Sequence, residues 1–363
     1  MKRVTHILTG GAMAACLLAS VAIAETAPLA VNKPVDVIKA ALPQIDDAVI
    51  GAFKPGLPEV MQAEDNALTK EKIDLGRMLY YEPRISKSQK ISCNTCHLLD
   101  KYGVDSAPTS TGHKNQRGGR NAPTVYNAAG HVAQFWDGRA PTVEEQAKGP
   151  VLNPIEMAMA SKEEVLAVLG SMPGYVESFK KAFPDDKAPL SYDNFGKAIG
   201  AFERKLVTPS RFDKFVQGDK TALSGDEIKG LQTFVSTGCI ACHSGPYVGG
   251  KMYQKVGLVK PWPGVKDLGR YEVTKGEGDK HVFKVPSLRN ITKTAPYLHD
   301  GSVAKLDEQV RLMARHQLAK ELTDDEVKSI VAFLGALTGE LPHDYIKMPK
   351  LPDSGPNTPA PAE

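Results

Sequence analysis

The sequence predicts a mainly α-helical protein made of two similar halves, and three observations carry that expectation. Strand signals are sparse, while helix-start signals followed by an apolar helical period recur along the chain. The pentapeptide Cys93-Asn94-Thr95-Cys96-His97 returns as Cys239-Ile240-Ala241-Cys242-His243. The segments after each pentapeptide also correspond. Ala122-Pro123-Thr124-Val125-Tyr126-Asn127 parallels Val285-Pro286-Ser287-Leu288-Arg289-Asn290, Asp137-Gly138 parallels Asp300-Gly301, and Glu145-Gln146 parallels Glu308-Gln309 at the same offset. Internal duplication explains this better than chance.

The pentapeptides fix the chemistry. Two cysteines three apart with a histidine directly after the second form the attachment motif for c-type haem: the thiols form thioethers to the vinyl groups, and the imidazole ligates the iron. A zinc pair would not need histidine at both fifth positions, and a redox CxxC usually sits in a βαβ pattern, which is absent here. The fold expected is therefore two cytochrome c-like haem domains, mainly α, with two covalently bound haem c groups.

In chain order, Lys2 and Arg3 precede an apolar run ending in Ala22-Ile23-Ala24, which reads as a secretory signal peptide over 1–24 and points to the periplasm. Cleavage ahead of Cys16, leaving a lipid anchor, is the minor alternative. The run is too short to span a membrane, no stretch of about 20 apolar residues follows, and no membrane span is expected. Without the leader, all four remaining cysteines belong to the two motifs, so no thiol is left for a disulfide or a nucleophile. The formal net charge is only +3, and nothing suggests nucleic acid.

Residues 25–67 read as an N-terminal arm with at most one short helix. The first haem domain spans 68–206, opening with a helix that Thr69 caps and that runs through Tyr80. Ser161, Ser224 and Thr323 each stand three residues before a glutamate, which predicts further helix starts. A helix from about Phe195 to Leu206 ends at Val207-Thr208-Pro209-Ser210, the expected domain boundary. The second haem domain spans 207–341, and residues 342–363 read as a Pro-rich disordered tail.

The sixth iron position decides what a haem does, because a closed site moves electrons while an openable one binds peroxide. In the first half His113 lies in a Gly-rich, basic stretch, Gly112 to Arg120, that reads as a mobile loop suited to a displaceable ligand. In the second half both Met252 and Met313 are candidates, and spacing does not choose between them. Trp136 would either relay electrons or pack on a haem edge. Gln146 and Glu156 offer an amide and a carboxylate for moving a proton between peroxide oxygens.

Taken together, CNTCH, TSTGHKNQRGGRNAPT, AQFWDGRAPTVEEQAKGPVLNPIEM, GCIACHSG and VPSLRNITKTAPYLHDGSV make the chain, from about Leu68 to Leu341, closely resemble the bacterial di-haem cytochrome c peroxidases. The resemblance implies a low-potential peroxidatic N-terminal haem held by Cys93, Cys96 and His97 with His113 as displaceable distal ligand. It implies a high-potential C-terminal haem held by Cys239, Cys242, His243 and Met313. Trp136 matches the tryptophan between the haems, Gln146 and Glu156 match distal-pocket residues, and Asn121, Thr294 and Pro296 match contributors to a Ca²⁺ site. It further implies H₂O₂ as substrate, a small cytochrome c or cupredoxin as electron donor, reductive activation and a homodimer. The alternatives are a quinone-cofactor-maturing di-haem oxidase, which carries tyrosine where Met313 stands, and a non-enzymatic di-haem electron carrier.

Overall fold

Each half of the protein is built on a pair of long helices that touch through a glycine. The computed structural model describes residues 43–362. The leader expected over 1–24, with Cys16, and the arm as far as residue 42 lie outside them. A short helix α1 (Asp47–Gly51) comes first and is capped by Asp46. Helix α2 (Lys70–Tyr81) starts where Thr69 Oγ1 accepts from the Lys72 amide, and it stops ahead of Pro83.

After the one-turn α3 (Cys93–Cys96) come α4 (Val143–Leu152), α5 (Lys162–Gly170), α6 (Pro173–Ala182) and α7 (Tyr192–Glu203). The second half holds α8 (Arg211–Val216), α9 (Gly225–Thr237), α10 (Tyr271–Thr274), α11 (Leu306–Leu318) and α12 (Asp324–Ala336). Ser161 caps α5, and complete capping boxes start α9 at Ser224 and α12 at Thr323. Among the described residues the one named sheet is an antiparallel pair, β1 (Tyr253–Lys255) and β2 (Val282–Lys284), with Tyr253 opposite Lys284. The chain is mainly helical, as its strand-poor sequence led us to expect.

Helix α2 lies on α7, and α9 lies on α12. A Cβ on Gly76 would overlap the Ala198 carbonyl oxygen, and one on Gly230 would overlap that of Ser329. These glycines set how closely the backbones approach. One apolar cluster gathers Leu75, Leu79, Phe195 and Phe202, and a second gathers Phe212, Leu231, Phe234, Ile330 and Phe333. The chain ends are exchanged between them. Phe53 belongs to the second cluster, with Ile45 and Val49 packed against it, whereas Ile346 belongs to the first, flanked by Leu341 and Tyr345.

The terminal segment departs from the expectation of a disordered tail. After α13 (His343–Ile346) it is laid along the first half. Tyr345 stacks on Phe202 with ring centroids 5.1 Å apart. Arg84 donates to the Pro352 carbonyl at 2.7 Å, Gln89 to that of Pro359 at 2.8 Å, and the Ala362 amide to that of Lys87 at 2.9 Å. Proline-rich backbone loses little entropy when it is fixed, so a few donors to its carbonyls suffice to hold it.

The halves meet at a polar seam. Asn127 and Asn290 both adopt left-handed backbone at φ 61°, and both donate from their side-chain amides to the Thr208 hydroxyl at 2.9 Å. The Asn121 amide donates to the His299 carbonyl and the Lys284 amide to the Trp136 carbonyl, each at 2.8 Å. A buried fork from Arg289 to Asp213, at 2.6 and 2.7 Å, secures the second half. Burial works against the Asp213 charge, yet Arg289 and the Leu57 and Ser210 amides hold its pKa below the ordinary carboxylate value. No helix among the described residues is long and apolar enough to cross a membrane.

Candidate active site

The first motif is an isolated helical turn. Cys93–Cys96 form α3, His97 leaves it with non-helical backbone, and the buried Tyr80 donates its hydroxyl to the His97 carbonyl at 2.8 Å. His97 Nδ1 stands 3.4 Å from the Gly103 carbonyl. Burial depresses the imidazole's pKa, so the ring is neutral at neutral pH and Nε2 is available as a ligand. Burial also pushes the Cys96 thiol up to about 11 and that of Cys93 higher still. Such thiols stay protonated, and all four described cysteines are unpaired.

The second motif follows α9 directly. Gly238, at φ 101°, ends that helix in the left-handed region, where glycine is favoured, and Cys239–Ala241 form a tight turn. His243 is driven down to about 4 by burial; the Val248 and Pro286 carbonyls oppose this, though neither reaches Nδ1 with hydrogen-bond geometry. Gly249 passes over the ring, and a Cβ there would sit 3.1 Å from Nδ1. Cys239, Cys242 and His243 line a cavity of about 250 Å³ whose other lining residues include Leu306, Val310 and Met313. Met252 is not part of that lining; its carbonyl accepts from the Val285 amide at 2.9 Å.

These features fit haem. An apolar cavity opens on two protonated thiols and a neutral imidazole, and His113 and His243 each carry a buried Nδ1 with no partner. No group of three or more His, Cys, Asp or Glu side chains among the described residues is placed to hold a metal ion.

His113 and Glu156 are held together by the main chain. The His113 amide donates to the carbonyls of both Ile155 and Glu156 at 2.9 Å, and a Cβ on Gly112 would overlap the Ile155 carbonyl. The stretch read as a mobile loop is thus tied to the turn after α4, and its far end is fixed by Arg120, which reaches Asp137 and Asp267 at 2.6 Å. The His113 side chain is buried, at 6% exposure. Glu156 accepts from Asn153 Nδ2 at 2.8 Å. Burial raises its pKa, against the pull of Arg139 and Asn153. Gln146 is half-buried on α4, two turns ahead of Asn153.

Trp136 joins this region to the second cavity. Its indole N–H donates to the Asn121 carbonyl at 3.0 Å, and its ring meets His299 edge-on at 6.5 Å. Trp136, Asn121, Thr294 and Pro296 all line the cavity of the second motif. Asn121 is anchored by its own amide, which donates to the Ala107 and Pro108 carbonyls at 3.0 and 3.3 Å.

Two groups escaped sequence reasoning. Glu203 is buried, and burial, with the Glu144 charge adding and Arg204 opposing, pushes it up to about 8; its charge bears on Cys93. Lys284 is a buried lysine on a strand of three residues. Glu203 opens a charged triplet with Arg204 and Lys205, and Lys284 is a single polar residue among apolar ones; neither pattern distinguishes a functional group from a solvated one.

Comparison with known proteins agrees with this geometry. The family model for di-haem cytochrome c peroxidase matches residues 70–221. The cytochrome c551 peroxidase of Nitrosomonas europaea is 49% identical over 86% of this chain and 91% of its own length. That of Pseudomonas aeruginosa is 45% identical over 88% and 93%. Among solved structures, a MauG-like protein associated with microbial copper homeostasis superimposes with a TM-score of 0.72 at 29% identity, covering 82% of this chain and 98% of that one. With two haem-attachment turns in a mainly helical fold and such identity across nearly the whole length of both peroxidases, the chain belongs to the di-haem cytochrome c peroxidase family.

Proposed function

We propose that the protein reduces H₂O₂ to two waters in the periplasm, consuming two protons and two electrons from a small cytochrome c or blue copper protein. The observation that carries this reading is the main-chain pairing of His113 with Glu156, which supports the roles of distal ligand and proton carrier for these two residues. Two haem c groups, when bound, supply iron centres that take up electrons singly and open the O–O bond.

Every other part falls to this chain. His97 and His243 present neutral imidazoles, and the presence of Met313 in the second cavity supports it, over Met252, as the second axial ligand there. Electrons arrive on the His243/Met313 side, cross near Trp136, and are used on the His97/His113 side. His113 would hold the sixth position of the first haem and give it up to peroxide, and Glu156, held by Asn153, would take a proton from the near peroxide oxygen and return it to the far one. Gln146 helps to orient the peroxide. Asn121, Thr294 and Pro296 contribute to a Ca²⁺ site, since a mixed set of amide and carbonyl oxygens suits that ion.

The halves are haem domains of 68–206 and 207–341 that arose by duplication. Matched left-handed residues support this: Phe135 and Leu298 at φ 65° and 72°, Gly138 and Gly301 at 71° and 65°.

The test is a redox titration with H₂O₂ added at each stage. One electron should convert the His97 side from a low-spin, unreactive form to an open one that consumes peroxide. A protein that stays six-coordinate and inert at every potential is a carrier instead.

A further inference from the structure

The cavity beside the second motif contains a cation with no anion. Lys284 is 7% exposed and lines the cavity together with His131 and Gln134. Its Nζ donates to the Ala133 carbonyl at 2.8 Å and stands 3.4 Å from His131 Nδ1. Among the described residues no carboxylate is in ion-pair contact with it. Asp137, whose charge bears on it, is already engaged by Arg120 at 2.6 Å and Arg139 at 2.9 Å.

An ammonium has three N–H donors, and here one meets a carbonyl and a second only the distant imidazole. A buried charge costs several kcal/mol when it is left uncompensated. Apart from Asp137, which its two arginines already engage, no negative charge bears on it. His131 is buried with its Nε2 unpartnered, its ring set edge-on to Tyr247 at 5.8 Å, while Lys251 lies over that tyrosine at 5.2 Å. Because Lys284 can only donate, the His131 nitrogen facing it is the acceptor and Nε2 carries the proton, so the imidazole steers the ammonium without neutralising it. Burial lowers Lys284 to about 8, which still leaves it mostly protonated at neutral pH.

We infer that Lys284 is the anion-binding residue of this cavity and receives a propionate carboxylate of the haem attached at Cys239 and Cys242, with His131 as its positioning residue. This rests on the haem reading of the second motif. The pairing gives the ammonium its missing acceptor and fixes one edge of the group against β2. It also places a positive charge where it opposes the ferric form, favouring the higher potential expected on this side.

The test uses the purified holoprotein, with haem counted per chain, the propionate bending band read by resonance Raman, and the midpoint potential of each haem titrated. Lys284→Met should keep two haems and leave the first potential unmoved. It should shift the second haem's propionate band and raise its ferric to ferrous ratio at fixed potential about tenfold, equivalent to about 59 mV for one electron. Lys284→Arg should stay near the parent in both readouts. Two haems with an unchanged band and potential in Lys284→Met would overturn the assignment. Should that variant fail to mature, a crystal structure of the parent holoprotein decides: Nζ within hydrogen-bond reach of a propionate supports the inference, and Nζ beyond it overturns it. A parent chain with no haem on Cys239 and Cys242 overturns the functional reading, and this inference with it.

Discussion

Trp136 is held by Asn121: the indole N–H donates to the Asn121 carbonyl at 3.0 Å, while the Asn121 side chain is itself anchored to the Ala107 and Pro108 carbonyls. The orientation of this ring, which lines the second cavity, therefore depends on a residue that also serves the proposed Ca²⁺ site.

Asn121→Ala should accordingly disturb electron transfer rather than haem attachment. It removes two side-chain hydrogen bonds, a cost of about 1–3 kcal/mol. Stopped-flow mixing of the reduced variant with peroxide should show slower oxidation on the His243 side, with both haems still attached. A chelator should slow the parent protein and leave the variant nearly unaffected; equal sensitivity in both would remove Asn121 from the ion site.

Glu156→Gln preserves the size of the side chain and a hydrogen bond to Asn153 but cannot take up a proton. Peroxide turnover should fall by about 10²–10⁴-fold, the usual contribution of a positioned acid or base, with haem content and both potentials unchanged. Full activity in this variant would move the proton carrier elsewhere.

Arg289→Met leaves Asp213 buried without its partner and should destabilise the protein by about 3–5 kcal/mol in urea unfolding at neutral pH. The pH dependence should also weaken. In the parent, the depressed Asp213 pKa contributes stability that is fully present above the ordinary aspartate pKa, about 3.9, and is lost as pH falls through the depressed value. In the variant, only the Leu57 and Ser210 amides still oppose burial, so the Asp213 pKa should rise from its depressed value and acidification should cost the variant less stability than it costs the parent.

Two glycines on the paired helices of the second half should respond in opposite ways to alanine. Gly230→Ala pushes α9 away from the Ser329 carbonyl and should cost about 1–3 kcal/mol. Gly335→Ala, in α12 with open space around the new methyl, should stabilise by about 0.5–1 kcal/mol. Thermal unfolding of both variants checks the pair.

Much of the helical framework was legible because it is written locally. Thr69, Ser161, Ser224 and Thr323 each announce a helix through a hydrogen bond spanning three residues. The haem turns were legible for a similar reason, since their chemistry is confined to five consecutive residues. What sequence did not show depends on residues far apart in the chain. Lys284 looks like any strand lysine until Ala133 and His131 enclose it, and residues 342–362 look like a solvated tail until Arg84, Gln89 and Phe202 receive them. In the second half, the choice between Met313 and Met252 drew on the resemblance alone, because only folding shows which of them lines the cavity.

The exchange of chain ends has a consequence for the order of assembly. The core around α2 and α7 needs Tyr345 and Ile346, which follow α12 in the chain, while the second core draws on Phe53 and is complete with Leu337. The first half is thus the one whose core is completed later, after the residues of the second core have been made. Fragments divided at residues 206 and 207 would each lack a piece of core, so the halves should not mature as separate proteins.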